Sequence, residues 1–172
     1  MARTDPPAPD PQPMPNGSSA GAADPVACFV CAANRPSLGV GGALLEDLMH
    51  NNDCAAMWEY PPDVAERVRY LERMQRVGVG DLIFMFAAGE GIIGVGRATA
   101  GCRGPLPPGH HQRLRAPSWA GEEWQVSVEW LRWQPDNPCP FQGFNATFYE
   151  ITGPSETWDE RREAVLAFFG LV

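Results

Sequence analysis

The chain has 172 residues, a hydrophobic fraction of 44% and a formal net charge of −8: enough apolar material for one core, and the wrong sign for a broad grip on a phosphate backbone. All 13 cationic side chains are arginine, which excludes a Walker phosphate loop, a Schiff-base enzyme, a kinase and a carboxylate-plus-lysine nuclease, since each needs a lysine. Five cysteines behind an N-terminus without a basic or apolar leader point to reduced thiols in a cytosolic protein, and no apolar stretch reaches the ~18 to 20 residues that span a bilayer.

Residues 1 to 24 are rich in Pro, Ala, Asp, Gly and Ser, cannot bury enough surface to offset ordering entropy, and are expected to form a disordered tail. The folded domain, 25 to 172, opens with a continuous apolar run over 26 to 32, suited to a central buried strand. A helix is predicted over 43 to 50, with Leu44, Leu45, Leu48 and Met49 inward and Asn51, Asn52 and Asp53 stopping it. Trp58 then falls in a loop closed by Pro61 and Pro62. A second helix starts there, carries Val64, Val68, Leu71 and Met74 at helical spacing, and ends at Gly78 and Gly80. Its arginines, Arg67, Arg69, Arg73 and Arg76, read as a solvated face.

A hairpin follows, with strands over 81 to 87 and 92 to 98 joined by a turn on Gly89 and Gly91. Gly94 and Gly96 inside its second strand mark a bulge or a close approach. Residues 101 to 121 read as a long Pro/Gly/Arg loop, which in a compact domain is functional or mobile. Strict alternation over 124 to 130 places Trp124, Val126, Val128 and Trp130 on one face of a strand and Gln125, Ser127 and Glu129 on the other. A last strand over 145 to 151 precedes a helix from Ser155, a suitable N-cap, through Trp158, Val165 and Phe169 to Gly170. Hairpin-linked strands with flanking helices give an α+β class built on a small curved antiparallel sheet or open β-barrel.

Candidate chemistry is sparse. Cys28 and Cys31 have CxxC spacing but lie within an apolar strand, while Cys54, Cys102 and Cys139 are scattered, so neither zinc nor another cofactor is expected. A triad could be drawn from a histidine with Ser118 or Cys102, but no nucleophile elbow surrounds either. His110 and His111 suit an exposed pair, and the adjacent acids Glu122 and Glu123 suit solvent. What remains is six tryptophans. Trp124, Trp130 and Trp158 belong to the core by position; Trp58, near Asn51, Asn52 and Tyr60, is either a stacking platform for a planar ligand or a lid on the core.

The order of motifs resembles EVE and EVE-like domains of the PUA-like superfamily, related to YTH and ASCH domains. The residues that carry this are the first strand ending in Ala32, Ala33 and Asn34, then Trp58, then Gly78 to Asp81, and finally the hairpin around Met85, Phe86 and Gly94. The match covers 26 to about 151, and the chain departs from typical members in its acidity and its lack of lysine. The resemblance implies a small barrel whose pocket takes a flipped, modified base, lined here by Ala33, Asn34, Trp58, Met85 and Phe86, with Asn34 or Asn52 reading a base edge. Expected partners are therefore modified DNA or RNA, held at the backbone by Arg103, Arg113 and Arg115, with an effector such as a nuclease encoded separately and no membrane. Two other readings stand beside this non-catalytic one: a small enzyme acting on a nucleotide or other small molecule with an Asp, Glu or His of the long loop, such as His110 or His111, as general base, and an interaction module without a small ligand. In the first reading Trp58→Ala abolishes binding and leaves the fold intact.

Overall fold

In the computed structural model, residues 26–33, 38–58, 65–116, 118, 121–141, 148–151 and 156–172 are described. The tail expected over 1 to 24, and Asn34, Tyr60, Pro61, Pro62, Val64 and Ser155, lie outside them.

The first apolar run forms β1 (Cys28–Ala33), buried at every position. Helix α1 (Leu45–Asn51) follows and ends where the Asn52 side-chain amide donates to the Leu48 carbonyl at 2.8 Å. Next comes a strand the sequence does not announce, β2 (Cys54–Trp58). Its CysAlaAlaMetTrp lacks β-branched residues, and it is a strand because it pairs with a later one. Helix α2 (Ala65–Gln75) ends before Gly78, where the sequence placed its stop. The hairpin β3 (Leu82–Ala87) and β4 (Gly91–Leu106) turns through Gly89 at φ 85°. Strand β5 (Glu123–Trp133), short β6 (Phe148–Glu150) and α3 (Glu156–Phe168) complete the order.

The strands form one sheet in the order β2-β5-β4-β3-β1-β6. It curls until Cys31 Sγ of β1 stands 3.6 Å from the Ala56 carbonyl of β2, so an edge strand meets the far side of its own sheet and a half-barrel results. The α+β class and the curved sheet with flanking helices agree with expectation. The sheet is mixed, however, because β1 pairs with β3 in parallel. The connection between them carries α1, β2 and α2, long enough to return the chain to the end from which it started.

Alternation along the strands divides the interior in two. Phe29, Cys31, Ala33, Ile83 and Met85 join β2, Val126, Val128 and α1 in one cluster. Cys28, Val30, Ala32, Phe84 and Phe86 join Val165 and Phe169 of α3 in the other. The two halves of the CxxC thus point to opposite faces, and no common metal can reach both. Gly94 and Gly96 lie where Trp133 and Trp130 pack onto β4, beside a register shift between Val95 and Gly96, which is the close approach and bulge read from the sequence. Two arginines of the expected solvated face do more than meet water. Arg76, just after α2, pairs with Glu150 at 2.6 Å, and the Arg73 guanidinium lies 4.9 Å from the Tyr149 ring centroid, tying the end of α2 to β6.

Candidate nucleobase site at the end of β2

Strands β2 and β5 run antiparallel, and their register sets Trp58 opposite Glu123 and Ala56 opposite Gln125. Glu123 and Gln125 occupy the face that alternation assigns to solvent, yet both are fully buried. The reason is the segment after β4. Strand β4 continues to Leu106, so the irregular stretch begins at 107 rather than 101, and it folds back over this end of β5 with Leu114 buried beneath it.

The carboxylate of Glu123 organises that stretch. Trp58 Nε1–H donates to its Oε2 at 2.7 Å, the Leu114 amide reaches both oxygens at 3.0 and 3.1 Å, the Arg115 amide reaches Oε2 at 3.2 Å, and Gln125 Nε2 donates to Oε1 at 2.6 Å. Gln125 is saturated in turn: Nε2 also donates to the Gln112 carbonyl at 2.8 Å, and Oε1 accepts from Arg103 Nη2 at 2.5 Å. A buried carboxylate that accepts from this many donors is an anchor for the loop. The expectation that Glu123 shares the solvent exposure of Glu122 fails because the loop covers it.

Trp58 departs from the sequence expectation in one way, ending a strand instead of sitting in a loop; at 6% exposure it is part of the core cluster, as the lid alternative had it. One ring face carries the Arg115 guanidinium, 4.5 Å from the centroid. Ala33 and Met85 share the cluster of Trp58, whereas Phe86 belongs to the opposite one, since neighbours on a strand face opposite ways. Asn52 stands before the start of β2, the whole length of that strand from Trp58, with its amide engaged in capping α1.

The three arginines expected on a nucleic-acid backbone differ in their surroundings. Arg103 is exposed and braced by Gln125 and Gln112. Arg115 is half-buried on Trp58, its Nη1 3.5 Å from the Leu38 carbonyl. Arg113 is buried, with Nη2 donating to the Gly121 carbonyl at 2.8 Å and Nε 3.8 Å from Glu123 Oε2. Its guanidinium therefore serves the carboxylate inside the loop and is not presented to a phosphate. The His110 and His111 rings stack on each other at 4.6 Å, and the Gln112 amide donates to His110 Nδ1 at 3.3 Å.

Burial disfavours the thiolate form of the core cysteines. Burial pushes Cys28 up to about 11, offset in part by Arg162, and pushes Cys31 and Cys54 up to about 12. Among the described residues no group of three or more His, Cys, Asp or Glu side chains is arranged to hold a metal ion.

The sequence singled out Trp58 and the arginines but missed Glu123 and Gln125, the groups that hold them. The available signal was a polar strand face directly after a long loop, which invites that loop to cover it.

No protein-family model matches the chain, and no curated protein matches it. Among solved structures, a protein from Pseudomonas syringae is 15% identical, with 82% of this chain and 98% of that chain covered at a TM-score of 0.43. A protein from Leishmania major is 11% identical, with coverage of 86% and 99% and the same TM-score of 0.43. The human THYN1 protein, solved in complex with DNA containing 5-methylcytosine, is 13% identical, with coverage of 61% and 71% and a TM-score of 0.32. Similarity at this level assigns no family and no activity. Among the described residues no helix is long and apolar enough to cross a membrane.

Proposed function

We propose that the chain is a PUA-like binding module that recognises a modified nucleobase in DNA or RNA by stacking it on Trp58. The observation that carries this reading is the Arg115 guanidinium, a planar group 4.5 Å above the indole centroid. The face that holds a flat cation can hold a flat base, and Glu123 fixes the ring plane through the indole N–H. A base takes the place of Arg115, whose freed guanidinium then pairs with the flanking phosphate, next to exposed Arg103. Ala33 and Met85 contribute apolar wall from the same cluster, and Arg113 positions the loop from within.

The same contact favours a second reading, in which Arg115 is a permanent plug and the domain binds other proteins without a small ligand. Fluorescence polarisation with short oligonucleotides carrying single modified bases separates the two. Base recognition predicts that Trp58→Phe weakens binding, and that Arg115→Ala changes both affinity and its salt slope. If neither variant moves the affinity of any oligonucleotide that binds, stacking on Trp58 is wrong.

A further inference from the structure

A hollow lies at the other end of the same two strands. His50, Asp53, Thr99, Val128, Glu129 and Trp130 line an open cleft of about 330 Å³, within the range of small-ligand pockets. The pairs Cys54 with Ser127 and Trp58 with Glu123 bound the distance: the cleft is about five strand residues, roughly 15 Å, from the Trp58 site.

The cleft follows from local irregularities. Strand β4 pairs with β5 at Ala98–Val128 and again at Cys102–Val126, so four steps of one strand face two of the other, and Thr99 falls within this bulged stretch. Opposite, Asp53 turns the chain into β2 at φ 48°, and its carbonyl accepts the Val128 amide at 2.8 Å. One wall is aromatic. The His50 ring stacks on Trp133 at 4.3 Å with 15° between planes, and Trp130 meets Trp133 edge-on at 5.0 Å. Trp130 Nε1–H points away to the Met49 carbonyl at 3.4 Å.

The ionisable groups lining the cleft are His50 and the carboxylates of Asp53 and Glu129. Arg97 stands opposite Glu129 across the β4–β5 pair, so the two side chains leave the same face, and Arg97 also lines a neighbouring cleft with Cys28 and Arg162. A cavity with an indole wall and two carboxylates, lined by no arginine, selects for positive charge. The described acidic and histidine side chains do not converge as a metal would require, so the fitting cation is an extended organic one that brings its own N–H donors.

We propose that this cleft binds a primary alkylammonium group, its methylene stem against Trp130 and its N–H donors on Asp53, Glu129 and Thr99. The site is independent of the Trp58 reading. The test is an NMR titration of the tryptophan indole N–H resonances of the full chain with n-butylammonium chloride, with n-butanol and sodium chloride as controls and Trp130 assigned from a Trp130→Phe spectrum. A saturable shift of Trp130 that butanol and salt do not reproduce is expected, weakened about fivefold or more by Asp53→Asn and by Glu129→Gln. Asparagine keeps the positive φ at position 53, so that variant folds. No saturable shift below roughly tens of millimolar, an equal shift with butanol, or unchanged binding in both variants overturns the proposal. Tighter binding of Nα-acetyl-lysine N-methylamide than of 1,4-diaminobutane identifies a protein side chain as the natural source, and the reverse order identifies a free amine.

Discussion

Replacing Glu123 by Gln keeps the shape of the buried anchor and removes its charge, which makes the substitution a clean probe of how the long loop is held. The two carboxylate oxygens accept from Trp58 Nε1, Gln125 Nε2 and the Leu114 and Arg115 amides. An amide nitrogen in place of Oε1 faces the Gln125 donor at 2.6 Å; in place of Oε2 it faces the indole N–H at 2.7 Å. Gln125 cannot turn over to help, because Arg103 and the Gln112 carbonyl hold its amide in the present orientation. At least one buried donor is therefore orphaned, at about 1 to 3 kcal/mol. Arg113 also loses its countercharge at a site where the two side chains are 2% and 0% exposed, and breaking such a buried pair costs about 3 to 5 kcal/mol. The two penalties overlap, so Glu123→Gln is expected to lower unfolding free energy by roughly 3 to 5 kcal/mol in total. Urea denaturation followed by tryptophan fluorescence reads this directly, and Arg113→Met in the Glu123→Gln background should restore part of the loss. A loss below about 1 kcal/mol would refute the view that this carboxylate organises the loop.

Trp58→Ala, which the sequence suggested would leave the fold intact, is expected to cost about 3 to 5 kcal/mol because the ring is buried in the core; a melt of the variant checks this. Gly94→Ala and Gly96→Ala each place a Cβ into Trp133 or into Val128 and Trp130, with an expected loss of about 1 to 3 kcal/mol in urea, whereas Gly89→Ala meets no neighbour and is penalised only by its φ of 85°. Cys28, Cys31 and Cys54 have thiols pushed up to about 11, 12 and 12 from 9.0. Each stays protonated in the folded state after its unfolded counterpart ionises. Their stabilisation is complete below pH 9 and is lost as pH rises from 9 towards about 11 for Cys28 and about 12 for Cys31 and Cys54, at roughly 1 kcal/mol per pH unit for each thiol. Replacing Cys31 by Ala should flatten the alkaline limb of a stability–pH profile; an unchanged limb would show that this thiol does not set it.

The elements with strong periodicity were legible in the sequence. The first buried strand, the β3–β4 hairpin, the alternation of β5 and the three helices all follow from apolar spacing and from Gly and Pro punctuation. Strand β2 was not legible, because its alanine-rich segment owes its conformation to β5 and not to its own propensity. That omission displaced Trp58 from a strand end to a loop, and with it the reading of the indole as an open platform. The parallel pairing of β1 with β3 was hidden for another reason: a strand buried on both faces has no alternation from which direction could be inferred. At the site, composition identified the aromatic and cationic groups, but the partners of Arg113 and Arg115 depend on how the 107 to 116 segment folds over β5. That is a non-local contact, and it turned the polar face of Glu123 and Gln125 into interior.

Stacking at Trp58 has a direct spectroscopic signature. The Trp58 indole N–H resonance should be identifiable by its hydrogen bond to Glu123 and by its loss in Trp58→Phe. Titration with an oligonucleotide carrying a single modified base should move it by the ring current of the incoming base, while the same strand with an abasic site at that position leaves it in place. Equal displacement by the abasic strand, or none by any base-bearing strand that binds, would contradict base recognition at this position.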